Sequence, residues 1–201
     1  MNIVKPKVPE IIYKVYDRNG RLKREIDKAR EKVEIANEDW LKGVSCFVIN
    51  ENNEVLIERR VNKGLTPGKL DLCSGHIDNS ETATQAMIRE LEEELGIKLE
   101  ESMNVKKLKA PSAPLNFGSK EKNRNFFINF FCLKRKNSEV NIQEQEIQEI
   151  LWLPLEECFE LIRTGKTKFP QDYDYEEIFE EVREICLEKK MQENDKNKEI
   201  D

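Results

Sequence analysis

Short runs of β-branched and aromatic residues, each bounded by turn residues, recur along the chain and predict β-strands. Residues 43–49 (GVSCFVI) and 55–60 (VLIERR) flank the polar turn NENNE and indicate a hairpin. Residues 125–133 (NFFINFFCL) predict a long buried strand whose side chains alternate between two faces. Nearer the start, residues 11–17 (IIYKVYD) precede an Asn-Gly turn signal, so a second hairpin is expected there.

Apolar residues at helical spacing predict helices between and after these strands. The first runs over residues 81–95, with Ser80 as its N-terminal cap and Gly96 in the left-handed C-terminal position. A second is expected from Pro154 to Gly165, and a third begins near Tyr175. Because strands and helices interleave, we predict an α/β (α+β) fold with a mixed sheet and helices packed on it.

The chain divides into three predicted parts. Residues 1–40 form an N-terminal extension, made of the first hairpin followed by a polar helix or linker. Residues 41–190 form the main domain, and the polar residues 191–201 form a disordered tail. A chain of 201 residues is long enough for one domain with a substantial core.

Charge and hydropathy narrow the classes of partner. The net charge is −6, which disfavours non-specific binding to nucleic acid, since such binding requires clustered cations. No apolar run approaches the length of a membrane-spanning helix, and the N-terminus lacks the apolar core of a signal peptide. We therefore expect a cytoplasmic protein with neither membrane nor nucleic acid as its partner.

The number and spacing of the cysteines and the histidine argue against a zinc site formed by a Cys/His motif. The chain has five widely spaced cysteines and no CxxC pair, so reduced, buried thiols are predicted. His76 is the only histidine, which excludes a His-rich site.

Three glutamates share one face of the first predicted helix. Glu90, Glu93 and Glu94 stand at positions i, i+3 and i+4, where like charges destabilise an exposed helix by about 0.2–0.5 kcal/mol. A solvated helix face tolerates that cost. Clustered carboxylates are also what Mg²⁺ or Mn²⁺ requires. The triplet alone leaves both interpretations open.

The surrounding stretch decides between them. It resembles the signature of the Nudix hydrolase family at nine specified positions over 23 residues, which is a highly specific match. In order along the chain these positions are Gly75, Glu81, Arg89, Glu90, Leu91, Glu93, Glu94, Gly96 and Ile97. The resemblance covers residues 40–165, and it implies an α/β/α sandwich built on a mixed sheet.

The resemblance also implies a reaction. Family members typically hydrolyse a nucleoside diphosphate linked to another group, X, with Mg²⁺ or Mn²⁺ and water as the nucleophile. By position, Glu90, Glu93 and Glu94 would hold the metal. Gly75 would let the backbone approach the metal or a phosphate, and its carbonyl would be a further ligand.

Other roles follow from the same resemblance. Arg89 would orient the helix carboxylates by pairing with Glu81, and His76 would lie in a loop near phosphate. In this family the general base is either a helix glutamate, here Glu93, or a glutamate in a later loop. Glu144 and Glu146 lie in such a loop and Glu146 is preferred, although a solvated loop charge explains both at least as well.

The N-terminal part is similar to the subgroup related to isopentenyl diphosphate isomerase. The segments VYDRNGRL, EDWLKG and PGKLDLCSGH carry this similarity. Three positions depart from the isomerase: Leu41 follows Trp40 where a His is usual, Ser74 precedes the glycine, and the strand FFINFFCL lacks a carboxylate. Isomerase-like activity dependent on Cys73 is therefore the second hypothesis, and a non-catalytic nucleotide-binding module is the third.

Substrate and assembly stay open. Nucleoside triphosphates, nucleotide sugars and dinucleotides all fit the signature. The N-terminal extension and the last amphipathic helix each offer an apolar face for a homodimer, and each could equally pack within the chain.

Overall fold

The computed structural model describes residues 12–27, 32–118, 123–136 and 138–198. Its strands are β1 (Ile12–Tyr16), β2 (Leu22–Asp27), β3 (Trp40–Ile49), β4 (Glu54–Arg60), β5 (Leu70–Asp71), β6 (Cys73–His76), β7 (Lys106–Lys107), β8 (Ala113–Gly118), β9 (Asn123–Lys134) and β10 (Ile147–Pro154). Its helices are α1 (Ala83–Leu95), α2 (Leu99–Ser102), α3 (Leu155–Arg163) and α4 (Glu176–Lys198).

The strands form one mixed sheet with β3 at its centre. β3 pairs in parallel with β9, from Trp40 opposite Asn125 to Ile49 opposite Lys134. It also pairs antiparallel with β1, β4 and β6. Strand β4 pairs antiparallel with β10 and with β5. The predicted mixed sheet is therefore confirmed.

Side chains that alternate along β3 and β9 build two apolar layers, one on each face of the sheet. Phe47 and Phe130 join the layer that contains Phe159 of α3. The next residues, such as Phe131, join the layer that contains Leu91 of α1. Helices thus cover both faces, and the α/β/α sandwich is confirmed.

The N-terminal hairpin belongs to this sheet. β1 and β2 pair antiparallel, and Tyr16 of β1 lies opposite Trp40 of β3. Of the helix or linker predicted next, residues 32–38 form no helix, while residues 28–31 lie outside the described part. The buried Asp39 explains this, because its carboxylate accepts the Ala36 N–H at 3.0 Å and holds the chain in a turn.

Two helix ends differ from the predictions. α1 is capped by Thr82, which exchanges hydrogen bonds with Gln85 in a capping box, and Ser80 is not the cap. Gly96 ends the helix in the left-handed conformation, as predicted, with φ 62°. α4 continues to Lys198 through the segment predicted to be a disordered tail, because its polar residues are mostly good helix formers. Residues 199–201 lie outside the described part.

All five cysteines are free and buried, as predicted. Within the described residues, no helix is both long and apolar enough to cross a bilayer.

Candidate active site

A cavity of about 390 Å³ opens between β6, β9 and the C-terminal half of α1. Its acidic wall is formed by Asp78, Glu90, Glu93, Glu94 and Glu146. The remaining wall combines apolar and cationic side chains, among them Tyr13, Arg60, Phe117, Phe126, Ile128 and Lys168. The cavity therefore brings carboxylate oxygens, apolar side chains and two cations together.

The strand before α1 brings its backbone against the helix carboxylates. Gly75 lies on β6 opposite Val44 of β3, which fixes its position in the sheet. A Cβ on Gly75 would lie 1.9 Å from the Glu90 Oε1 atom. Only glycine lets the Glu90 carboxylate rest against the strand in this way.

Arg89 holds the acidic wall together. Its Nη2 donates to Glu81 at 2.8 Å and its Nε donates to the other Glu81 oxygen at 3.2 Å. Nη1 donates to Glu90 at 2.6 Å and to Glu93 at 3.2 Å. Nη2 also reaches the His76 carbonyl at 2.9 Å. The structure thus brings Arg89 and Glu81 together, as the family resemblance implied. Arg89 also ties α1 to the end of β6.

The three signature glutamates sit at different depths. The side chain of Glu93 is 56% exposed and that of Glu90 is 12% exposed, whereas Glu94 is 2% exposed. Glu94 accepts the Ser74 N–H at 3.0 Å. Burial raises the pKa of Glu90 and of Glu94 above the ordinary value, and the Glu90 charge adds to the effect at Glu94.

A buried layer behind this wall was missed by the sequence analysis. Glu58 on β4 is fully buried, and neither of its carboxylate oxygens has a hydrogen-bond donor. Burial raises its pKa well above the ordinary value, and Glu94 and Asp71 raise it further. One signal was available: alternation along VLIERR puts Glu58 on the same face as the buried Leu56.

Asp71 is also fully buried, and its charge is compensated by two cationic side chains. Lys168 forms an ion pair with Asp71 at 2.6 Å, and Arg60 forms one at 3.4 Å. The Ser74 hydroxyl donates to the same carboxylate at 3.1 Å. These contacts place both cations at the cavity wall.

The structure can now be set beside known proteins. A profile of the NUDIX domain matches residues 40–173, which is more than half of the chain. The chain belongs to the Nudix family. Its signature residues from Gly75 to Ile97 fall inside the matched region.

Two curated relatives and one solved structure give the extent of the similarity. Nudix hydrolase 2 of Arabidopsis thaliana is 29% identical over 156 residues, covering 77% of this chain and 50% of that protein. The 8-oxo-dGTP diphosphatase of Escherichia coli K12 is 45% identical over 51 residues, covering 25% of this chain and 40% of that protein. The chain thus spans half or less of these relatives. The crystal structure of DR0079 from Deinococcus radiodurans shares the fold with a TM-score of 0.57 at 20% identity, covering 86% of this chain and 98% of that one.

The remaining predicted site residues lie at the rim of this Nudix cavity. Glu146 lines it, and its carboxylate is 3.8 Å from Arg60, with the side chain 45% exposed. Glu144, the other loop glutamate, is exposed. The His76 ring lies between Tyr13 and Phe126, with ring centroids 5.1 Å away in each case.

Cys73 does not behave as the isomerase-like hypothesis requires. It is fully buried beneath α1, in the apolar layer with Leu91. Burial raises the pKa of its thiol well above the ordinary value, and the nearby Glu94 charge raises it further. A reactive thiol needs the opposite environment, so Cys73 lacks the setting of a catalytic residue.

Proposed function

We propose that this Nudix protein hydrolyses the diphosphate linkage of a nucleoside diphosphate joined to a group X, with Mg²⁺ or Mn²⁺ as cofactor and water as the nucleophile. The observation that carries the proposal is the convergence of Glu90, Glu93 and Glu94 on one wall of the cavity. The Glu90 side chain sits against Gly75, where a Cβ would lie 1.9 Å from its Oε1 atom.

The residues fit a hard divalent cation. Carboxylate oxygens are the donors that Mg²⁺ and Mn²⁺ prefer, and the acidic wall concentrates them in one place. Glu90, Glu93 and Glu94 would hold the ion, together with the Gly75 carbonyl. A bound cation would neutralise the charge of a diphosphate and lower the pKa of a water molecule.

The chain's own residues would prepare and complete the reaction. Arg89 orients Glu90 and ties it to Glu81 and to the His76 carbonyl. Glu93 is the most exposed of the three glutamates, so its carboxylate is placed to accept the proton of the attacking water. Glu146, which also lines the cavity, is the alternative base. Lys168 and Arg60, which line the same cavity, would contact phosphate oxygens.

The first experiment is product release from a panel of nucleoside diphosphate derivatives, assayed with Mg²⁺, with Mn²⁺ and with EDTA. We expect a metal-dependent hit whose products identify X. In the Glu93→Gln variant we expect activity to fall by about 100-fold, or about 2.7 kcal/mol of barrier. The matched control is Glu92→Gln, an exposed glutamate on the same helix, which should stay near wild type.

Two outcomes would contradict the proposal. One is Glu93→Gln retaining both its Mn²⁺ affinity and its activity. The other is tight binding of a nucleotide with no turnover on any substrate, which favours the non-catalytic binding module. Conversion of isopentenyl diphosphate would instead favour the isomerase-like hypothesis, although the burial of Cys73 speaks against it.

The cytoplasmic location, the small-molecule partner and the homodimer stay predictions. Light scattering on the purified chain would test the homodimer directly.

A further inference from the structure

Beneath the acidic wall lies a cluster of three residues, two of which have no role in the proposed hydrolysis. We call Glu58, Cys73 and Glu94 the inner cluster. One oxygen or sulfur atom from each lies within 4.8 Å of the other two, and all three residues are buried. They come from β4, β6 and α1, so the cluster joins three elements. Of the three residues, Glu94 lines the cavity, whereas Glu58 and Cys73 are not among its lining residues.

Glu58 is the unexplained member. Its side chain is fully buried and neither carboxylate oxygen has a hydrogen-bond partner. Moving an unpaired carboxylate out of water costs several kcal/mol, so buried carboxylates are paired or coordinate a metal. The position of Glu58 therefore points to a ligand that supplies positive charge.

The neighbouring cations do not supply it. Lys168 and Arg60 direct their ion pairs to Asp71, at 2.6 Å and 3.4 Å. Lys168 also donates to the Ser74 hydroxyl at 2.5 Å. Three buried carboxylates, including that of Glu94, thus face two cationic side chains that are engaged with one of them. Among the described residues, no cationic side chain forms an ion pair with Glu58 or Glu94.

We propose that the inner cluster binds a divalent cation through the carboxylates of Glu58 and Glu94 and the sulfur of Cys73. Ligand distances for such ions are about 2.0–2.3 Å, so donor atoms within 4.8 Å of one another need only small movements to meet at one ion.

The donor set selects the class of cation. Two oxygens and one sulfur suit borderline ions such as Zn²⁺ and Co²⁺, whereas Mg²⁺ takes oxygen ligands and retains its waters. The inner site shares Glu94 with the proposed hydrolytic site and is otherwise independent of any reaction. Because it links β4, β6 and α1, its cation stabilises the folded chain by mass action.

Cobalt spectroscopy on the chelator-treated full chain tests the sulfur ligand. Titration with Co²⁺ should produce the near-ultraviolet absorption band of a thiolate bound to cobalt. The band should disappear in Cys73→Ser and persist in Cys46→Ser. Cys46 is the matched control, because it lies opposite Cys73 in the β3–β6 pair, is fully buried and lies outside the inner cluster.

Calorimetric titration with Zn²⁺, in excess Mg²⁺, tests the carboxylate ligand. Loss of even an outer-shell partner weakens metal binding by about 10–100-fold, so Glu58→Gln should weaken Zn²⁺ binding by at least that much. The proposal is overturned if the wild type gives no thiolate band with Co²⁺, if the band survives in Cys73→Ser, or if Glu58→Gln binds Zn²⁺ as tightly as the wild type. None of these readouts uses a substrate, so their failure is distinct from failure of the proposed hydrolysis.

Discussion

Asp39, directly before β3, and Glu58 on β4 are both fully buried carboxylates, yet their surroundings are opposite. Asp39 receives hydrogen bonds from Lys23 at 2.5 Å, from Arg24 at 2.6 Å and 3.2 Å, and from the Ala36 N–H at 3.0 Å. Glu58 receives none. The fold compensates one carboxylate, and the other has no hydrogen-bond partner among the described residues.

The difference separates a structural role from a functional one. Although burial alone would raise the pKa of Asp39, the bonds from Arg24 and Lys23 lower it well below the ordinary value. Around Glu58 burial dominates, and the pKa is raised. Asp39 therefore secures the N-terminal hairpin to the sheet, while burial favours the protonated forms of Glu58 and Glu94 beside the cavity.

The largest expected effect is a loss of activity and concerns Gly75 at the acidic wall. In Gly75→Ala the new Cβ would displace Glu90, since it would fall 1.9 Å from Oε1. We expect kcat/KM for the hydrolysed substrate to fall by about 100-fold. In a Glu90→Ala background the same change should add little, because the clash is gone. Additive losses in the double variant would show that Gly75 acts in some other way.

The next effect is on stability and concerns Asp39. Asp39→Asn removes the ionic part of its bonds to Lys23 and Arg24, and we expect the free energy of unfolding to drop by about 2–3 kcal/mol in urea titrations. The exposed neighbour Glu38 supplies the control, since Glu38→Gln should stay within about 0.5 kcal/mol of wild type. Equal stability of the two variants would remove the structural role assigned to Asp39.

A smaller effect of opposite sign is expected at Glu58. In EDTA at alkaline pH, where Glu58 is forced to ionise, Glu58→Gln removes a buried unpaired charge and should raise the free energy of unfolding by about 1–2 kcal/mol. With saturating Zn²⁺ the order should reverse, because the variant loses a ligand. Destabilisation by Glu58→Gln in EDTA would mean that Glu58 has a partner within the fold.

The smallest effect is the pH dependence of the metal-free protein. The pKa values of Glu58 and Glu94 are raised in the folded state, so their contribution to stability is present below the ordinary value of 4.5 and is lost as pH rises. The pKa of Asp39 is lowered, so its contribution is present above 3.8 and is lost as pH falls.

Urea unfolding in EDTA between about pH 3 and about pH 9 measures both slopes. Asp39→Asn should weaken the loss on the acid side only, and Glu58→Gln should weaken the loss on the alkaline side only. If either variant changed the acid and the alkaline losses of stability equally, Asp39 and Glu58 would belong to one coupled electrostatic network.

Local patterns predicted most of the elements. The individual strands, α1 with its Gly96 end and the N-terminal hairpin depend on residues close together in sequence, and all are found. The hairpin predicted for β3 and β4 is largely wrong, because the two strands pair only at Ile49 and Val55 and instead pair along their length with β9 and β10.

The wrong cap has a local cause, because Thr82 and Gln85 form a capping box three residues apart and α1 therefore begins at Ala83. The absence of helix in residues 32–38 depends on the tertiary structure, since it follows from the burial of Asp39.

The sequence by itself determined which glutamates share a helix face, because 3.6 residues per turn place Glu90, Glu93 and Glu94 together in any α-helix. It could not determine how deeply each of these glutamates is buried, or that Glu58 and Cys73 lie close to Glu94. Those three residues lie on separate elements, and only the packing of α1 across β4 and β6 brings their ligand atoms within 4.8 Å. Burial then changes the electrostatics, since a charge that is harmless in water is costly in a low-dielectric interior.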